Sequence, residues 1–224
     1  MRDKYDIHNP INRSDENPFS IQHDPTDYYH PNYINPLRMS SYSYQYRLAL
    51  TSGGNSFLNI GSANDVLRSL LIKQKKTVIN LDLDLHTHPD VTAIFPYLPF
   101  KSSSFDVVLC FQTLEHLPFS MINSCFRELR RISKNNIIIS VPDMSLSKRE
   151  MIKYLIYKIL NHPREWKKYK SRKIDKEHFW EIGDGVINFK SLLSAIEGER
   201  LEITNHFRNR INSYHHFFVL KTSK

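Results

Sequence analysis

The chain has 224 residues, 40% hydrophobic and 24% charged, and a net charge of +8 from 31 Lys and Arg against 23 Asp and Glu. That is enough chain to bury a sizeable core. The composition excludes wholesale disorder and collagen-like repeats, and no apolar run approaches the roughly 20 residues that span a bilayer. Two cysteines, Cys110 and Cys125, exclude a disulfide framework and a four-cysteine zinc site. MRDKYDIHNP has no apolar signal-like stretch, so a cytoplasmic protein is expected.

Residues 1–45 read as an irregular N-terminal arm. Its stretch HDPTDYYHPNYINP is dense in turn dipeptides, and its tyrosines are expected to pack on the body. A short helix is expected over 40–50. The remainder, 46–224, alternates short apolar runs with helical periods. Strands are expected at 57–61, 77–83, 90–95, 105–111 and 135–141. The run FDVVLCF (105–111) is continuously apolar, as a strand covered on both faces must be. Helices are expected over 65–74, 120–132 and 187–198. Two last strands, 201–207 and 214–221, are separated by the short polar loop RNRINS and should be antiparallel neighbours. Strands alternating with helices give a mostly parallel sheet covered by helices on both faces.

Residues 144–186 interrupt the alternation as a basic, aromatic insertion. Within it, 148–176 hold eleven Lys and Arg against three acids, so this stretch carries the whole positive excess. A local basic patch favours an anionic partner. Residues 151–160 place Ile152, Leu155, Ile156 and Ile159 at helical spacing, followed by WKKYKSRK. That apolar face either packs on the sheet as a lid over an acceptor or lies on an anionic membrane surface.

In a parallel sheet, ligands bind beyond the carboxyl ends of the strands. Those ends carry Gly61-Ser62-Ala63-Asn64-Asp65, then Asp82 and Asp84, then Leu98-Pro99-Phe100, then Phe111-Gln112-Thr113-Leu114-Glu115-His116, then Pro142-Asp143. Small residues after the first strand allow close backbone approach to a ligand. A carboxylate after the second can accept two hydroxyl hydrogen bonds. Asp82 is preferred to Asp84 because it ends the apolar run. His116 has the pKa range of a general base; in a purely structural role it would bond the adjacent loop. His86 and His88 match no zinc-site spacing, so no metal is expected.

The segments FLNIGSAND (57–65), VINLDLD (78–84), LPFKSSSFDVV (98–108), LEHL (114–117) and IIISVPD (137–143) together resemble the class I S-adenosylmethionine-dependent methyltransferase family, most closely members with a small-molecule, sugar or lipid acceptor. The resemblance implies a Rossmann-like seven-stranded sheet with the last strand antiparallel, and S-adenosylmethionine as cofactor. It implies that Asn59, Gly61, Ser62 and Ala63 meet the cofactor's methionine part and Asp82 its ribose. Leu98 would flank the adenine, and Phe111 and Gln112 would line the pocket behind the sulfonium. Glu115 and His116 would stand at the acceptor entrance as the catalytic pair. The family's first motif usually runs acid-x-Gly-x-Gly-x-Gly; here Asn59 replaces the acid, and Ala63 and Asp65 replace two glycines. The expected activity is direct methyl transfer to an oxygen or nitrogen of a small molecule, an anionic sugar, glycan or lipid-linked acceptor, with a place in surface-polysaccharide biosynthesis. Peripheral membrane contact is expected through 151–173. The alternatives are an idle methyltransferase-like scaffold and a nucleic-acid methyltransferase gripping its substrate through the insertion. No Asn-Pro-Pro-Tyr motif follows the fourth strand, which argues against nucleic acid.

Overall fold

In the computed structural model, which describes residues 17–21, 24–146, 148–160 and 174–222, the apolar run Phe105–Phe111 forms the central strand β4. Around it lie β1 (Ser56–Ile60), β2 (Thr77–Asp82), β3 (Val91–Thr92), β5 (Ser133–Pro142), β6 (Leu201–Arg208) and β7 (His215–Thr222). The sheet order is β3-β2-β1-β4-β5-β7-β6. β7 runs antiparallel to both β5 and β6, and the other pairs are parallel.

Alternate side chains of these strands enter opposite layers. Leu58, Ile60, Val108, Cys110, Ile137 and Ile139 pack with helices α3 (Ile122–Ile132) and α5 (Phe189–Gly198). Phe57, Val107, Leu109 and Ile138 pack with α1 (Pro36–Thr51) and α2 (Val66–Lys73). The crossover from β1 to β2 thus has its helix on one face and that from β4 to β5 on the other. This places the carboxyl ends of β1 and β4 at the point where the strand order reverses.

Two elements differ from the sequence reading. Helix α1 begins at Pro36, four residues before the expected start, and continues past residue 45, the expected end of the arm, to Thr51. Asn35 accepts the Arg38 N–H at 3.0 Å as N-cap, and Pro36 supplies the fixed φ of a first helical position. Strand β3 spans Val91–Thr92 and not 90–95. Its last sheet contact passes to the Ala93 N–H, which donates to the Asp82 carbonyl at 3.1 Å, and the chain then turns inward at Ile94 and Phe95.

The insertion returns to the sheet through a parallel bridge between Asp143 and Ile182. It contributes α4 (Lys148–Ile159). The apolar side chains of α4 do not pack on the sheet: Ile152 is 58% and Ile159 81% exposed, and Met151, Leu155 and Ile156 are exposed as well. The WKKYKSRK cluster lies outside the described residues. Among those residues no helix is long and apolar enough to cross a membrane.

Candidate active site

A cavity of about 450 Å³ opens beyond β1, β2 and β4. Its floor is the turn after β1. Gly61 has φ +67°, and a Cβ there would strike the Thr113 side chain, so this turn requires glycine. The N–H groups of Gly61 and Ser62 donate to the Leu81 carbonyl at 2.9 and 3.3 Å. Asp82, at the end of β2, accepts from Ala63 N–H through Oδ2 (3.0 Å) and from Asp84 N–H through Oδ1 (3.1 Å). Burial raises the Asp82 pKa despite these two bonds. Gln112 sits at φ +51°, unusual for a side-chain-bearing residue. Its N–H donates to the Ser140 carbonyl at 2.8 Å, which fixes the bend after β4.

Asn59, Gly61, Ser62, Ala63, Asp82, Phe111, Gln112 and His116 all line the cavity. Leu98 does not. It is buried in the core, held by its N–H to Glu128 Oε1 (3.2 Å) and by Arg131 on its carbonyl (3.2 Å). Ala93, Ile94 and Phe95 form the apolar wall instead. Asn59 is already engaged: its Nδ2 donates to Asn80 Oδ1 (3.1 Å), and Asn80 Nδ2 donates to Asp65 Oδ1 (2.8 Å). Asn59→Asp would set a carboxylate against the Asn80 oxygen, and flipping the Asn80 amide would turn that oxygen onto Asp65. The substitution is therefore expected to lower stability by about 1–3 kcal/mol, measurable as a shifted urea midpoint. Unchanged stability would show that this amide chain has no structural weight.

Three groups of lining residues come from outside the sequence motifs. The arm and α1 bring Tyr28, Tyr33, Arg38 and Tyr42; the end of the insertion brings Glu177 and His178; the β6–β7 loop brings Asn212 and Tyr214, and the start of β7 brings His215. Asn64 Nδ2 donates to Tyr42 Oη (2.7 Å) and to the Tyr28 carbonyl (3.3 Å), and the Arg38 guanidinium lies 4.3 Å over the Tyr33 ring. The arm tyrosines thus pack on the body, and they close one side of the cavity. Burial, with help from Arg38 and His178, pushes the His215 pKa down to about 3, so it is neutral at pH 7.

Glu115 stands behind the lining. It is fully buried, and neither carboxyl oxygen has a hydrogen-bond partner. Burial pushes its pKa up to about 7, against the pull of His178. The His116 ring meets the His178 ring edge-on at 4.9 Å, and His116 Nδ1 lies 3.2 Å from the Glu177 carbonyl. Behind His178, Glu181 Oε1 accepts from Tyr214 Oη (2.6 Å), the Asp175 N–H (2.9 Å) and His178 Nδ1 (2.8 Å). His86, weighed above as a ligand, instead has an exposed ring bonded to Asp84 at 2.8 Å.

Residues 58–140 match the family model of a methyltransferase domain. A comparison with curated proteins gives no match. Among solved structures, an S-adenosylmethionine-dependent methyltransferase from Aquifex aeolicus superposes with a TM-score of 0.58 at 12% identity, over 90% of this chain and all of that one. The N-methyltransferase NodS from Bradyrhizobium japonicum WM9, in complex with S-adenosyl-L-homocysteine, gives 0.56 at 12%, over 85% and 89%. The magnesium protoporphyrin IX methyltransferase of Synechocystis PCC 6803, also with S-adenosylhomocysteine, gives 0.54 at 12%, over 84% and 85%. At such identities the superpositions establish the fold, and the match to a methyltransferase domain covers the stretch that carries the cavity, residues 58–140.

Proposed function

We propose that this protein transfers a methyl group from S-adenosylmethionine to an oxygen or nitrogen of a small acceptor, a sugar, glycan or lipid-linked compound. The observation that carries the reading is the cavity itself, floored by a turn that only glycine fits and flanked by the Asp82 carboxylate. These residues suit the cofactor. Asp82 can accept ribose hydroxyls, the Gly61–Ala63 backbone leaves room for the methionine part, and Ala93, Ile94 and Phe95 offer an apolar wall to the base. Asn59 keeps its Oδ1 as an acceptor for an ammonium, without a charge. Bound there, the cofactor supplies an already activated sulfonium methyl, so the protein's task is alignment and exclusion of water. Tyr28, Tyr33 and Tyr42 cover the cavity toward solvent, while His116, His178 and Tyr214 present polar atoms for an acceptor. Calorimetry with S-adenosylmethionine and S-adenosylhomocysteine tests the reading. Micromolar binding of both supports it; no binding at millimolar ligand would leave a methyltransferase-like scaffold.

The exposed face of α4 supports an acceptor held at an anionic membrane surface. Ile152, Leu155, Ile156 and Ile159 are exposed beside Lys153 and Lys158, and the sequence continues into WKKYKSRK. An isoleucine withdrawn from water contributes about 1.5–3 kcal/mol. The protein should therefore co-sediment with phosphatidylglycerol vesicles and not with phosphatidylcholine ones, and lose binding as salt rises. Ile152→Ser with Ile159→Ser should weaken vesicle binding at least about tenfold. Equal binding to both lipids would exclude the electrostatic contribution.

A further inference from the structure

The side chains of Glu115, His116 and His178 converge so that one ligand atom of each lies within 4.8 Å of the others. We infer that these three side chains form a binding site for a divalent transition-metal ion at the acceptor end of the cavity. The donor set is two imidazoles and one carboxylate, the composition of sites that keep a coordination position open for water or substrate.

Two observations favour an ion over a plain hydrogen-bonded cluster. The first is the Glu115 carboxyl, fully buried with neither oxygen bonded. A buried polar group without a partner is costly, and a cation would supply the missing one. The second is how the imidazoles are held. His178 Nδ1 is bonded to Glu181, which directs Nε2 to act as the ligand, and Glu181 is itself fixed by Tyr214 and the Asp175 N–H. His116 Nδ1 lies 3.2 Å from the Glu177 carbonyl. Carboxylate and carbonyl support of this kind orients histidine ligands and raises their basicity. Ligands about 2.1 Å from one ion sit about 3.4 Å apart in a tetrahedral site, so the three groups would draw together by about 1 Å on binding.

His116 and His178 line the cavity and Glu115 lies behind them, so any open coordination position faces the space left for the acceptor. There the ion would hold and orient an acceptor hydroxyl. That role rests on the methyl-transfer reading; the metal site does not.

The test uses the full-length protein, stripped with chelator and reloaded with Co²⁺ as a spectroscopic probe, then with Zn²⁺ and Mn²⁺. The expected result is one ion per chain, with visible Co²⁺ ligand-field bands. His178→Ala and Glu115→Gln should each weaken Co²⁺ binding at least tenfold, and His86→Ala should leave it unchanged. Circular dichroism and a urea titration on each variant report folding separately. Metal bound by a protein that fails to bind S-adenosylhomocysteine would overturn the methyl-transfer reading and leave the site standing. The inference is overturned if folded wild type binds none of the three ions below millimolar concentration, if Co²⁺ binding survives His178→Ala, or if His86→Ala abolishes it.

Discussion

Trp180→Ala is expected to lower the unfolding free energy by about 3–5 kcal/mol, the range for truncating a buried tryptophan. Trp180 is 1% exposed. Its indole N–H donates to the Leu117 carbonyl at 3.1 Å, and its ring meets Phe119 edge-on at 5.2 Å. The substitution opens a cavity under the end of the insertion and removes the donor from a carbonyl beside the LEHL turn. A urea titration reads the effect as a lower midpoint at unchanged slope. Trp180→Phe keeps most of the volume and loses only the N–H, so its loss should be nearer 1–2 kcal/mol. The same residue anchors the chain between His178 and Glu181 to the LEHL turn. Its removal should therefore also disturb the acceptor end of the cavity while leaving the Gly61 turn intact. A loss under about 1 kcal/mol for the alanine variant would mean the insertion does not dock through this ring.

The second large effect is on the cofactor. Asp82→Ala should weaken S-adenosylhomocysteine binding by about 1–3 kcal/mol, roughly 5- to 150-fold. Two losses combine in it. The acceptor for ribose hydroxyls disappears, and so does the carboxylate that holds the Ala63 N–H. Asp82→Asn keeps an acceptor at the same place and should fall between the two. Asp84 is engaged locally, accepting from the His86 N–H at 2.9 Å and bonded to its ring at 2.8 Å. Asp84→Ala should accordingly have the smaller effect on affinity, and calorimetry on both variants decides which carboxylate meets the ribose.

What the sequence conveyed follows from how local each signal is. The continuous apolar run of β4, the small residues after β1 and the acid ending β2 are each legible within a few residues, and they locate the sheet and the floor of the cavity. Leu98 was not placed correctly because the chain leaves the sheet at Thr92; this moves Ile94 and Phe95 to the wall and Leu98 into the core. Tyr28, Tyr33 and Arg38 carry no periodicity that would tie them to the cavity. His178 meets His116 because the insertion folds back onto the LEHL turn, with Trp180 bonded to Leu117 and the Phe179 N–H to the Glu115 carbonyl, contacts that no spacing rule reports. For the same reason the spacing around His86 and His88 says nothing of the cluster of Glu115, His116 and His178. The apolar stripe of α4 was visible, but an amphipathic pattern does not say what covers it; its exposure had to come from the structure.

Cys110 on β4 and Cys125 on α3 are both fully buried and unbridged. Burial holds the Cys110 thiol well above its ordinary range and pushes Cys125 up to about 12. Neither thiolate is then present at neutral pH in the closed protein, and a thiol reagent can modify them only when the layer between α3 and the sheet opens. Labelling kinetics would consequently act as a clock for that opening. If added S-adenosylhomocysteine slows the clock, the degree of slowing gives the bound state's extra stability without any need to know the acceptor.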